Sequence, residues 1–566
     1  MNQFTQMQQS EASSMPAQGV HADCGCEVWI LWVCCHVRKW RARKVGQPDN
    51  AGMSQMLPHS DPSVPLLDAA LCWPLLSARD VRADGRFFVG VTSTGIYCRP
   101  ICPARTPRRE HCRFYTTAAG AEVSGYRPCL RCRPELAPGH ASVDAPARLA
   151  QGAAALIEDG ALGQAGLAHI AQRLGVTDRH LRRVFMDQFG VTPIAYAQTQ
   201  RLLLAKRLLT DTPLPVTEVA LAAGFASVRR FNDSFARRYR MAPSALRRVA
   251  AGASSQFQGH DQQGLVFRLA YRPPLDWPAL MSFLAHRCIE GVEAMGMAQH
   301  RRAPGTPGEG VVYRRIVRVP TPQGATVCGW VELSGPAARA AAGHLLQVRV
   351  APALSAAIPA VLARVRRVCD LGARPDEVAQ VLGPLAAGRE GVRLPGAFDG
   401  FEIAVRAILG QQVTVQQARI MAGRLVQRFG EPVATSWPEL THAFPQAAQL
   451  AACSTDDLRS IGLLRARSSA LIELSRAVSQ GELRLEPDVD VPATLARLMA
   501  IAGIGDWTAQ YVAMRALGWP DAFPAADVGV MKALGVKTTA QARRAADRWR
   551  PWRAYAVIHL WNGATP

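Results

Sequence analysis

One stretch constrains the chain more than any other: Leu498-Met-Ala-Ile501-Ala-Gly503-Ile504-Gly505-Asp506-Trp507-Thr508-Ala509, followed shortly by Phe523-Pro-Ala-Ala-Asp527. The first part reads as a helix-hairpin-helix. Gly503 and Gly505 allow a turn tight enough to approach a DNA phosphate, which main-chain N–H groups at Gly503, Gly505 and Thr508 could then hold. Asp527 lies just past a Pro-containing loop and before a new helix. A phosphate-gripping hairpin with one downstream carboxylate is equipment for cutting a base from DNA. The plain alternative is a Gly-rich turn between packed helices, with Asp527 as an N-cap.

At 566 residues the chain is too long for one core, and three or four domains are expected. Lys and Arg number 65 against 44 Asp and Glu, a formal net charge of +21. That excess suggests a polyanionic partner, most simply nucleic acid, although charge alone leaves a merely basic protein open. Apolar content of 49 % marks a globular chain. No apolar run reaches the roughly 18–20 residues of a membrane span. Val28 to Cys35 is too short and has no basic stretch before it, so no membrane partner and a cytoplasmic location are expected. Fourteen Cys without an export signal favour reduced thiols or metal ligands over disulfides.

Residues 1–62 read as a disordered extension, or as an over-long translation start with Met53 or Met56 as the beginning. Their Cys spacing (24, 26, 34, 35) matches no common zinc pattern. Small polar stretches near 137–145 and 251–264 read as linkers. The expected division is 63–140, 148–250, 264–380 and 381–566.

Cys98-Arg-Pro-Ile-Cys102 and Cys129-Leu-Arg-Cys132 are two close pairs separated by 26 residues. Each pair can clip one edge of a tetrahedral Zn²⁺, whether the zinc is only structural or also keeps a sulfur nucleophilic. With Asp84-Gly-Arg-Phe-Phe-Val, Thr94-Gly-Ile-Tyr, Arg113-Phe-Tyr and Gly125-Tyr-Arg-Pro, these pairs resemble the N-terminal domain of the Ada alkylation-response family. The resemblance implies one Zn²⁺ on Cys98, Cys102, Cys129 and Cys132. It also implies that Cys98 accepts a methyl group irreversibly from a DNA methylphosphotriester. Methylation would take the site from formally −2 to −1 and ease repulsion from DNA. Cys72 and Cys112 read as small buried residues.

Leu167–Phe185 and Val216–Phe235 repeat one plan: a helix, a Gly turn, then a basic helix. Each predicts a helix-turn-helix. Solvated arginines on a helical hairpin are the plain alternative. Gly224-Phe-Ala-Ser, Phe231-Asn, Phe235 and Ala242-Pro243-Ser resemble the AraC-type regulator signature. By that resemblance the recognition helices start near Thr177 and Ser227, with Arg179, Arg182, Arg229 and Arg230 as candidate DNA contacts.

Leu265–Leu269, Arg315–Val319 and Leu345–Val350 alternate like strands of a small antiparallel sheet. Beyond them, Arg393-Leu-Pro-Gly, Phe401–Gln412, the hairpin, Asp527 and Trp549–Trp561 resemble the AlkA-type 3-methyladenine DNA glycosylases. This implies Asp527 as the catalytic carboxylate, with Asp506 and Asp521 as nearby competitors. Trp507, Tyr511 and Trp561 map to the base pocket, Trp507 least firmly, and ordinary core packing is the plain reading of each. Gln412 stands where the family's best-known member wedges a Leu into the base stack. Trp507 occupies the place of the Lys of lyase-active relatives, so the reaction should stop at hydrolysis. Cys453 is the last Cys, and no iron–sulfur cluster is expected. The Pro-Cys-His-Arg motif of an O6-alkylguanine transferase is missing from the sequence.

The expected fold class is multidomain and mainly α. It comprises a small zinc-bound α/β domain, an AraC-type double helix-turn-helix, a small α+β domain and an all-α helix-hairpin-helix glycosylase domain. The expected function joins hydrolytic release of alkylated purines with a methyl-triggered transcription switch. The expected partners are double-stranded DNA, damaged and promoter, and RNA polymerase. The alternative is a regulator whose glycosylase-like half only binds damaged DNA.

Overall fold

The computed structural model describes residues 67–563 except 81–82, 85, 135–144, 163–165, 213, 254–263, 298–309, 322–323 and 336–343. The expected extension 1–62 and most of both expected linkers lie outside the described residues. No described helix is long and apolar enough to cross a membrane.

The first module opens with α1 (Ala69–Ser77), capped by the Asp68 carboxylate on Ala70 N. It continues through β1 (Phe88–Val91), β2 (Ile96–Cys98), β3 (Cys112–Tyr115), α2 (Ala118–Val123) and β4 (Arg127–Pro128). The sheet order is β3-β1-β2-β4. Strands β2 and β4 run parallel, with Tyr97 opposite Pro128. Cys98 ends β2 and Cys129 follows β4, so this register sets the two Cys pairs side by side.

Seven helices follow: α3 (Ala145–Glu158), α4 (Gly166–Arg173), α5 (Asp178–Phe189), α6 (Pro193–Asp211), α7 (Val216–Ala222), α8 (Val228–Tyr239) and α9 (Pro243–Ala253). Thr177 caps α5 and Ser227 caps α8, each hydroxyl accepting from an amide three residues on. Both helices end in the left-handed region, at Gly190 and Arg240. Helix α6 joins the two helix-turn-helix units, and α9 begins one residue past the linker-proximal Ala242.

The next module is a five-stranded antiparallel sheet, order β5-β9-β8-β7-β6, made of β5 (Leu265–Ala270), β6 (Glu293–Met297), β7 (Val311–Pro320), β8 (Thr326–Ser334) and β9 (Leu345–Val350). It carries α10 (Trp277–Ala285) between β5 and β6. Helices then continue as α11 (Ile358–Val368), α12 (Pro375–Leu382), α13 (Gly400–Leu409), α14 (Val415–Phe429), α15 (Ala447–Ala451), α16 (Thr455–Ser460), α17 (Arg465–Ser479), α18 (Val491–Ala500), α19 (Asp506–Arg515), α20 (Val528–Ala533), α21 (Thr539–Ala546) and α22 (Arg553–Gly563). One apolar core runs from Leu202 to Leu560, joining the second helix-turn-helix to everything that follows. The first helix-turn-helix and the Cys module have separate small cores.

Where β7 meets α13, burial forces charges to pair. Arg315 reaches Glu402 at 2.6 Å, and Arg406 reaches Glu293 at 2.6 Å and Glu402 at 2.5 Å. All are desolvated, so losing one partner would strand another. The network ties the sheet to the helix that floors the site described next.

Candidate active site and metal centre

The hairpin forms between α18 and α19. Gly503 has φ +89°, a region that side chains rarely occupy, and Gly505 caps α19. The first turn of a helix leaves amides without intrahelical acceptors, here those of Asp506, Trp507 and Thr508. Together with the positive end of the helix dipole they make a phosphate seat. Thr508 is only 2 % exposed. Its hydroxyl accepts from Gln411 Nε2 at 2.9 Å, and the same amide group donates to Gly503 O at 2.9 Å. The Thr508 hydroxyl is therefore engaged within the protein. The next residue, Gln412, is exposed with φ +54° at the tip of the turn between α13 and α14.

Asp527 caps α20, its Oδ1 accepting from Val530 N at 2.9 Å. Two indoles also converge on the carboxylate. Trp561 Nε1 donates to Oδ1 at 2.9 Å and Trp507 Nε1 to Oδ2 at 3.0 Å. The N-cap reading and the functional reading of Asp527 thus coexist. The carboxylate lines a cleft of about 440 Å³ together with Trp507, Tyr511 and Trp561. Trp507 and Tyr511 stack at 5.5 Å, and the Tyr511 and Trp561 rings lie 6.3 Å apart. All three aromatics expected from the sequence meet in this cleft, and Trp507 also holds the carboxylate.

The competing carboxylates are engaged elsewhere. Asp521 is 1 % exposed and held by Arg553 at 2.7 Å and Arg550 at 3.0 Å. Asp506 pairs with Arg543 at 2.9 Å.

Arg287, Arg515 and Gly529 also line the cleft and were not legible as site residues. Arg287 lies over the Phe283 ring at 3.8 Å, and Arg515 donates to Tyr511 OH at 3.0 Å. Burial alone would raise the Tyr511 phenol, but the guanidinium groups of Arg515, Arg287 and Arg406 outweigh it and pull it down. Arg287 sits just after α10, far upstream of the hairpin, and no local spacing points to it. Gly529 stands in helical backbone. A Cβ there would come within 3.2 Å of Asp527 Oδ1 and 3.3 Å of Trp561 Cδ1.

On the regulatory helices Arg179, Arg182, Arg229 and Arg230 are all exposed. Arg182 is tied to Asp178 one turn earlier at 3.0 Å.

The sulfurs of Cys98, Cys102, Cys129 and Cys132 all lie within 4.8 Å of one another. Cys102 and Cys129 are 3.9 Å apart. Zn–S bonds of about 2.3 Å in a tetrahedron put sulfurs about 3.8 Å apart, so the cluster fits one Zn²⁺. Without a cation the cluster tolerates little charge. Hydrogen bonds to Cys132 and Cys98 pull the Cys102 thiol down to about 2, while Cys98, bonded to Cys102 and Cys132 and buried, is held far above its ordinary value. Four thiolates together need the metal. Arg99 backs the site: buried, paired with Asp84, and donating its amide to Cys132 Sγ at 3.3 Å. Cys98 is the partly exposed member, whereas the other three are buried. Cys72 and Cys112 are buried as expected.

Comparison with known proteins gives four successive matches. Residues 71–135 match the metal binding domain of Ada and 170–249 a helix-turn-helix domain. Residues 266–399 match the AlkA N-terminal domain, and 405–548 the HhH-GPD superfamily of base excision DNA repair proteins. A "probable bifunctional transcriptional activator/DNA repair enzyme AlkA" of Mycobacterium tuberculosis is 35 % identical over 508 residues, covering 88 % of this chain and 96 % of its own. The chain belongs to that bifunctional AlkA family. DNA-3-methyladenine glycosylase 2 of Escherichia coli K12 is 35 % identical over 296 residues, 52 % of this chain and 96 % of its own. The bifunctional transcriptional activator/DNA repair enzyme Ada of the same organism is 35 % identical over 153 residues, 27 % of this chain and 42 % of its own. In this AlkA-family chain the cleft draws on two matched modules: Arg287 comes from the AlkA N-terminal match, Asp527 from the HhH-GPD match, and Trp561 lies beyond both.

Proposed function

We propose that the chain releases alkylated purines such as 3-methyladenine from duplex DNA by hydrolysis, and that it accepts methyl groups from methylphosphotriesters on Cys98 to switch on transcription. The carrying observation is the Asp527 carboxylate, held by two indole N–H groups at the wall of an aromatic cleft. Four modules share the work: 63–140 as sensor, 148–250 as promoter reader, and 264–380 with 381–566 as glycosylase.

The hairpin amides hold the phosphate while the nucleotide turns out of the stack, with Gln412 facing the gap. The base enters between Trp507, Tyr511 and Trp561. As the glycosidic bond lengthens, positive charge passes from the alkylated base to the sugar. Asp527 stabilises that charge and orients water. The cationic guanidinium groups of Arg515 and Arg287 stand by Tyr511, one turn further along α19 than Trp507. Repulsion at the base and attraction at the sugar drive the charge in the direction of bond breaking. Zn²⁺ on the four cysteines would hold the sulfurs as thiolates; Cys98, at the end of β2, is the least buried of the four. RNA polymerase is the partner a methylated, DNA-bound form would recruit.

The test is release of free 3-methyladenine from methylated duplex by wild type and Asp527→Asn. We expect near-loss in the variant. Equal release would move the catalytic carboxylate elsewhere, and no release by either would leave a DNA-binding regulator. For the sensor, Cys98→Ser should take up no methyl label from methylphosphotriester DNA.

A further inference from the structure

A second cavity, of about 330 Å³, lies away from the aromatic cleft, between the regulatory helices and the sheet-bearing half. Its walls are one face of α6, the end of α3, and α11. Arg201 and Arg207 project from α6 and Arg366 from α11. Among the described residues no carboxylate pairs with any of the three. Two carboxylates act on Arg366, and both are engaged: Glu158 accepts from Tyr196 OH at 2.6 Å, and Asp159 pairs with Arg367 at 3.1 Å. Arg207 and Arg366 repel each other across the space.

Such an arrangement is costly when empty. Burial works against the charge on both Arg201 and Arg366. Neither carboxylate near Arg366 is free to neutralise it, since Glu158 serves Tyr196 and Asp159 serves Arg367. The local chain nevertheless accommodates the arginines. Gly224, at φ +81°, leaves room for the Arg201 stem, whose Nε would lie 3.4 Å from any Cβ there. The remaining wall is apolar and includes Leu204 and Leu362. Guanidinium forks suit phosphate oxygens.

We propose that this cavity binds a phosphate monoester, its phosphate among Arg201, Arg207 and Arg366 and its organic body against Leu204 and Leu362. The ligand would bridge α6, the link between the two helix-turn-helix units, to α11 of the glycosylase half, and so fix the two to each other. The proposal is independent of the glycosylase reading.

The test is thermal unfolding of the full chain at constant ionic strength, with chloride replaced stepwise by inorganic phosphate or by adenosine 5′-monophosphate. We expect a saturable rise in melting temperature for wild type. Arg366→Gln and Arg201→Gln should each weaken the apparent affinity at least tenfold. In phosphate-free buffer Arg366→Gln should melt no lower than wild type, because an uncompensated charge has gone. No rise in wild type, or the same rise in both variants, overturns the proposal. A duplex oligonucleotide separates the two sources of phosphate. If Arg366→Gln weakens duplex binding tenfold and leaves the monophosphate response untouched, the cavity holds a DNA phosphate and the monoester assignment falls.

Discussion

Two indole N–H groups aim the Asp527 carboxylate, and each is a hydrogen bond to a charged acceptor, worth about 1.5–3 kcal/mol. Trp507→Phe or Trp561→Phe keeps a ring in the cleft and removes the donor. Single-turnover release of 3-methyladenine should fall about tenfold to a hundredfold in either. A variant at wild-type rate would show that the indoles only pack. Gly529→Ala asks about aim in another way. Its helical backbone suits Ala, but Cβ would press on Asp527 Oδ1 at 3.2 Å, an atom held from two sides. The variant should melt no lower than wild type yet turn over at least tenfold more slowly. Asp370 gives a pH signature. Burial raises its carboxyl to about 6, despite hydrogen bonds from Tyr555 OH at 2.8 Å and Leu394 N at 3.1 Å. A raised value means that the folded state holds the proton more tightly than the unfolded one. That stability is complete below about pH 4 and is lost as pH rises through about 6. Asn cannot ionise and suits the φ of +48°. Asp370→Asn should therefore gain on wild type between pH 4 and 6, by roughly 3 kcal/mol at pH 7. A difference in melting temperature that stays flat with pH would count against this account.

At the scale of elements, the two regulatory helices show what local chemistry can announce. Thr177 and Ser227 were readable as starts because a cap is a short-range event, and the structure uses both. The glycines of the hairpin were readable for the same reason. The clamp on Thr508 was not, because its hydroxyl accepts from Gln411, nearly a hundred residues away. Arg287 escaped notice because its role depends on α10 folding back against α19, which no spacing records. Arg182 looked equivalent to its neighbours until its pairing with Asp178 was visible. The consequence is measurable on promoter DNA. Arg229→Ala should lower affinity and flatten the salt dependence by about one phosphate contact. Arg182→Ala should do less, since its charge is already half answered. Matching losses at the two positions would contradict the distinction.

At the scale of the molecule, the core divides unevenly. The Cys module holds its own small clusters, while residues from Leu202 to Leu560 share one. Removing zinc with a strong chelator should therefore melt the first module alone. Methyl uptake should vanish while 3-methyladenine release persists. Loss of both together would mean that the modules fold as one unit. A last consequence comes from the Gln411 side chain, which fastens the hairpin to the turn bearing Gln412. If the hairpin seats on a phosphate as proposed, the same link would set the height of Gln412 over the neighbouring bases. Probing the stack would then need no separate rearrangement of the chain. Each step along the duplex would then be an inspection, its pace set by how quickly the protein moves and not by how often it changes shape.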